Sequence, residues 1–207
     1  TGEAVPLTDP RVRLVFPSMG RRGTEIISAI CRSVGIDTVH QPPATAETLA
    51  RARAVASGKE CVPALLVLGA FLEYFAKEPA QSERVYVLFM PLTTGPCRTG
   101  QYAVFYQNLF QELGYRNIVV LSPNADTSYR ELGPSFSRHA WIAIVFADYL
   151  KDIEYALRAL AADPAAAMAE FEAIWQEVIE TAVKGTGALM GRIGGWARRI
   201  GRIQLAR

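Results

Sequence analysis

The chain has 207 residues, half of them hydrophobic and a fifth charged, with a net charge of +2. That length can bury a substantial core in one large domain, or in one domain with a helical appendage, and so small a charge gives no argument for a nucleic-acid partner. No apolar run reaches the roughly 18 residues of a membrane span, no secretory leader pattern opens the chain, and the three cysteines are too few and odd in number for a disulfide framework. A soluble, cytoplasmic protein with reduced thiols is expected.

In chain order, Arg11 to Phe16 alternates as a strand and runs into the Pro17-Ser18-Met19-Gly20 loop. Glu25 to Val34 has the spacing of one helical face, closed by Gly35. Asp37 to Gln41 is a short strand stopped by Pro42-Pro43, and Thr45 to Ala56 is Ala-rich and helical. Thr45 reads as a plain N-cap, because Thr48 stands where a capping box wants Glu or Gln. A helix from about Pro63 to Lys77 follows Cys61, with Pro in its first turn. Arg84 to Met90 is a nearly continuous apolar run, the pattern of a strand buried on both faces. Gly100 to Leu113 reads as a helix closed by Gly114, and Asn117 to Leu121 as a buried strand ending in the Ser122 to Asp126 loop.

Strands alternating with helices in this way imply βαβ units and a parallel sheet. Residues 1–136 are therefore expected to form a Rossmann-like α/β domain with helices flanking a parallel sheet. Residues 137–207 are expected to form a helical extension, with long helices over Trp141 to Ala162 and Pro164 to Val183. After Lys184 the chain is Gly-rich and basic, with no acidic residue and no clear closing element. It reads as an arm completed by a partner, or as part of a longer chain.

Two peptides carry the chemistry: Gly58-Lys59-Glu60-Cys61-Val62-Pro63 and Gly95-Pro96-Cys97-Arg98-Thr99-Gly100-Gln101-Tyr102. Each sets a cysteine among Gly and Pro just before a helical pattern. A thiol there lies at the positive end of a helix dipole, which favours the thiolate, the form that binds iron or other soft metals. Ligand sites in open α/β sheets form at the carboxyl ends of strands, so the loops of Cys61, Cys97, Ser18 and Ser122 to Asp126 are expected on one edge. The plain alternative is that each cysteine is a small apolar residue packed in a turn. Cys31, between Ile27 and Val34 on an apolar stripe, reads as core. His40 and His139 have no ligand spacing to either loop cysteine, which gives zinc little support. Lys59, Arg98 and Gln101 stand beside the thiols and could steady an anionic group, or be ordinary loop residues.

Nucleotide motifs fail: Arg53 stands where a P-loop ending in Gly58-Lys59 needs Gly, and Met190 where Gly185-Thr186-Gly187 needs its third Gly. There is no Gly-x-Ser-x-Gly elbow.

Gly58 to Pro63, then Phe89-Met90-Pro91, then Gly95 to Tyr102, then Leu121-Ser122-Pro123-Asn124-Ala125-Asp126, resemble in order and spacing the acyl-CoA dehydratase activase-related family. That family is allied to the small subunit of 2-hydroxyacyl-CoA dehydratases and benzoyl-CoA reductases and to double-cubane cluster proteins. The resemblance covers about residues 11 to 150. It implies Rossmann-like lobes holding a [4Fe–4S] cluster, with Cys61 and Cys97 as metal ligands and Pro63, Pro96, Gly95 and Gly100 shaping their loops; with Lys59, Arg98 and Gln101 beside the thiols, Gly95 completes the candidate cofactor-binding set. It implies an electron-transfer domain of, or accessory to, an ATP-driven CoA-thioester dehydratase or reductase, rather than an autonomous enzyme. The partner would be an ATP-hydrolysing activase domain or subunit. No cysteine follows Cys97, so a third ligand would come from a missing lobe, a second subunit or a non-protein ligand; a homodimer is a further possible partner state. Asp152-Ile153-Glu154-Tyr155 replaces the family's Arg-Pro-Tyr-Glu. The alternatives are a non-catalytic interaction module that keeps the fold without a cluster, and a thiol redox pair, which needs both sulfurs within disulfide geometry.

Overall fold

A computed structural model describes residues 5–77, 84–92, 95–124 and 134–206. The strands β1 (Val12–Phe16), β2 (Thr38–His40), β3 (Val85–Phe89) and β4 (Ile118–Leu121) form one sheet in the order β2-β1-β3-β4. Every pairing is parallel, with Leu14 opposite both Thr38 and Val87, and Leu88 opposite Val120. The expected α/β architecture, a parallel sheet flanked by helices, is present. Because the chain passes from β1 outward to β2 and then returns to the other side of β1, the order reverses between β1 and β3. That reversal opens a crevice at their carboxyl ends.

The alternating side chains of the strands build two cores. Val12, Leu14, Phe16, Val87 and Phe89 face one helical layer, and Val15, Tyr86 and Leu88 face the other. The first layer holds α1 (Arg21–Ser33), α5 (Pro134–Leu160), α6 (Pro164–Ala182) and α7 (Thr186–Ile200). The second holds α2 (Ala46–Arg53), α3 (Val62–Lys77) and α4 (Tyr102–Glu112). The segment after residue 136 therefore contributes to the same apolar core as β1 and α1. No helix among the described residues is long and apolar enough to cross a membrane.

Several elements differ from expectation for physical reasons. Helix α1 begins a turn earlier than its apolar stripe, at Arg21, because Arg21 and Arg22 reach carboxylates on α5 and α6. Thr45 and Thr48 do form a reciprocal box, in which each side chain accepts from the other's backbone N–H at 3.3 and 3.0 Å; the hydroxyl of Thr48 serves where Glu or Gln was expected. Asp163 caps α6 with two 3.0 Å bonds from Ala165 and Ala166 N–H, and Pro164 opens the first turn.

The Gly-rich basic end is not a loose arm but a helix. Leu189 and Trp196 are buried, and Ile193 and Ile200 pack on the same stripe. Glycine lowers helix propensity by about 1 kcal/mol per residue, and tertiary packing outweighs it here. The acids that α7 lacks come from α6: Arg199 pairs with Glu170 at 2.8 Å and with Glu177, which also accepts from Trp196 Nε1 at 3.2 Å. The last described residues pair back too, Leu205 bridging Ala161.

Gly69 is required by a close approach. A Cβ there would lie 2.0 Å from the Thr48 carbonyl oxygen, so α2 and α3 touch backbone to backbone. That contact fixes where the chain between them, which carries Cys61, leaves α2.

Candidate functional site

Cys61 occupies the N-cap position of α3: its carbonyl accepts the Leu65 N–H at 3.2 Å, and helix begins at Val62. Its half-buried thiol is hydrogen-bonded to the Tyr102 hydroxyl. Tyr102 opens α4, downstream of β3, so the sulfur sits at the carboxyl edge of the sheet, on the α3/α4 side.

Cys97 reaches the same edge from the other loop. It is the N-cap of a short 3-10 turn, Arg98–Gln101, which runs into α4. The helix expected from Gly100 thus begins at Tyr102, and Cys97 precedes a tight turn rather than an α-helix. Its exposed thiol is hydrogen-bonded to Thr99 Oγ1 at 3.0 Å. The Thr99 hydroxyl, helped by the Thr99 backbone, holds the Cys97 thiol below the ordinary cysteine range.

Two observations tie the loops together. The Arg98 guanidinium donates to the Lys59 carbonyl at 3.0 Å, joining the Cys97 turn to the Cys61 peptide. Tyr102 is pushed up to about 12, first by burial and then by its hydrogen bond to Cys61. The Tyr102 phenol thus holds the Cys61 sulfur and opens the helix into which the Cys97 turn runs. Below it, Tyr106 donates to the Ala64 carbonyl at 2.8 Å and fixes α4 against the first turn of α3.

The structure brings together Cys61, Lys59, Cys97 and Arg98 from the expected residues. Lys59 contributes its carbonyl, while Gln101 is exposed at the end of the turn. Gly95 is exposed and a Cβ on it would meet nothing, so no close approach demands glycine there. Of the expected Ser122 to Asp126 loop, Ser122, Pro123 and Asn124 run beside the β3 exit, with Leu92 N–H bonded to the Pro123 carbonyl at 2.9 Å; Ala125 and Asp126 lie outside the described residues. His40 is half-buried at the end of β2, pushed down by burial, and lines a cavity with Arg21, Glu25 and Pro42 rather than joining the thiols. Cys31 is fully buried and pushed up to about 12 by burial, as befits a core thiol. Tyr102 and Thr99 were missed as site residues, although both stand inside the Gly95 to Tyr102 peptide. The signal was a hydroxyl two and five residues after Cys97.

Among the described residues, no group of three or more His, Cys, Asp or Glu is placed to hold a metal ion. The donor set of this edge is thus two thiols and a phenol. Val62, next to Cys61 in sequence, and Val104, in the first turn of α4, are 52% and 64% exposed.

Compared with known protein families, curated proteins and solved structures, the chain matches none of them.

Proposed function

We propose that the chain is an iron–sulfur electron-transfer domain with a Rossmann-like sheet, serving an ATP-driven CoA-thioester dehydratase or reductase system. The observation that carries this reading is the placement of Cys61 and Cys97 at one sheet edge, coupled through Tyr102 and Arg98. Thiolate is the donor an iron–sulfur cluster takes, and two thiolates are half of a four-cysteine set. The donor type fits and the number is incomplete, so the remaining ligands would come from a second subunit, a second copy or another lobe.

When bound, a [4Fe–4S] cluster supplies one-electron transfer. The residues of this chain do the rest. Tyr102 orients the Cys61 sulfur, Thr99 keeps Cys97 toward its thiolate form, and the Arg98 guanidinium offsets negative charge while holding the turn in place. The chain has no P-loop, so ATP hydrolysis would belong to an activase domain or subunit.

The second reading, an interaction module without a cluster, rests on the absence of a third ligand among the described residues. Anaerobic reconstitution with iron and sulfide separates the two. The electron-transfer reading expects stoichiometric iron and sulfide, lost in both Cys61→Ala and Cys97→Ala with circular dichroism unchanged. A folded chain that takes up neither favours the interaction module.

A further inference from the structure

The 27-residue helix α5 packs against α1, α6 and α7 on one side and faces solvent on the other. We infer that this outer face is a self-association surface, on which a second copy of the chain docks its own α5 antiparallel about a two-fold axis at Val145.

The buried residues Ala140, Ala143, Ala147, Leu150 and Leu157 mark the inner side of the helix. Opposite them, Arg138, Trp141, Val145, Tyr149 and Asp152 recur at spacings of three and four residues, which sets all five within about 80° of arc. All five are exposed, with Trp141, Val145 and Tyr149 at 54%, 49% and 68%. Single exposed apolar residues are ordinary on a protein surface. Three on consecutive turns of one helix make a stripe, which is how a helix presents itself to another helix. Met19 is also exposed and lines a cavity together with Trp141, which widens the apolar area at that end.

The order of the stripe selects the partner. An aromatic ring stands four residues to either side of Val145, Trp141 before it and Tyr149 after it. A charge stands seven residues to either side, and the signs are opposite: Arg138 before and Asp152 after. In an antiparallel pair related by a two-fold axis, a residue some number of positions before the axis meets the residue the same number after it on the other copy. Val145 then meets itself. Trp141 meets Tyr149 of the second copy, Arg138 meets Asp152 of the second copy, and each contact is made twice. A parallel pair would instead set Arg138 against Arg138 and Asp152 against Asp152. Neither of these two charges has an ion pair or side-chain hydrogen bond among the described residues, so both are available to a second chain. Asp148, exposed on the same face, falls opposite the half-buried Ile142, and Lys151 falls opposite His139, so neither meets a like-charged acid or arginine.

From Arg138 to Asp152 the stripe spans about 21 Å of helix. One helix face of that length buries less than the ~1,200 Å² of a standard stable interface, so the pairing should be reversible and concentration-dependent. The face belongs to the α1/α5/α6/α7 layer, whereas the thiols sit with α3 and α4. The inference therefore stands apart from the cluster reading, and either can fail alone.

The test is sedimentation equilibrium of the whole chain from about 1 μM to 1 mM, in reductant so that no disulfide forms through the exposed Cys97. A monomer–dimer equilibrium is expected. Val145→Glu should weaken it at least tenfold, since two carboxylates would face each other on the axis, with circular dichroism unchanged because the residue is exposed. Arg138→Glu and Asp152→Arg are the decisive pair. Either alone sets like charges against each other at both ends of the stripe and should weaken the dimer about tenfold. Together they restore opposite signs, and the dimer should return to within about threefold of the unaltered chain. A chain that stays monomeric throughout, a dimer indifferent to Val145→Glu, or a double variant as weak as the single ones would overturn the inference.

Discussion

The two helical layers of this sheet are built for different ends. On the α1/α5/α6/α7 side, charge is paired: the buried Arg22 is clamped between Glu154 and Glu172, and the part-exposed Arg199 between Glu170 and Glu177. On the α3/α4 side the interior is aromatic, with Phe75 meeting Tyr86, Phe110 and Tyr115 at 5.2 to 5.6 Å. At its rim, the polar groups are thiols and hydroxyls left within reach of solvent. A buried ion pair gives little net stability but is costly to break, whereas an exposed thiol contributes almost nothing to folding and keeps its reactivity. Stability and chemistry are thus divided between the two faces.

Arg22→Ala should break the division most severely. It removes the buried guanidinium and leaves the half-buried Glu154 with Arg158 alone and Glu172 with Arg21 alone, and a loss of about 3 kcal/mol is expected in denaturant unfolding. Cys97→Ala, on the exposed side, should change stability by no more than about 0.5 kcal/mol. Gly69→Ala comes next, because its Cβ would press on the Thr48 carbonyl. About 3 kcal/mol should be lost, and Cys61 should become more reactive toward an alkylating reagent as α2 is pushed away.

Acid should loosen the clamp. Burial raises the Glu172 carboxyl, but Arg21 and Arg22 outweigh burial and hold it at about 2, against an ordinary 4.5. The folded value is the lower one, so the stabilisation is complete above pH 4.5 and fades as pH falls toward 2. A stability-against-pH profile should show that acid limb, and Glu172→Gln should flatten it. The smallest effect is expected at Thr99→Val. Removing the hydroxyl should move the pH midpoint of Cys97 alkylation upward and slow the reaction a few-fold at neutral pH, with Cys31 silent throughout because it is buried.

The strand runs and the apolar stripe of α1 were legible because burial on a sheet or helix face imposes a period on the residues themselves. The two cysteine peptides were legible because Gly and Pro mark tight turns. The α7 helix was not, since four glycines argue against helix locally and only contact with α6 overrides them. Arg22 could not be read as buried, because its partners Glu154 and Glu172 lie more than 130 residues away. Tyr102 was visible as a residue but not as a partner of Cys61: 41 positions separate them, and only the return of the chain through β3 closes that gap.

The most direct test of the two-thiol site is alkylation footprinting by mass spectrometry, before and after anaerobic loading with iron and sulfide. The account predicts that Cys61 and Cys97 become protected together and in equal proportion, and that either alanine variant exposes the remaining thiol. Protection of one cysteine alone, or of neither, would contradict the claim that both loops build a single site.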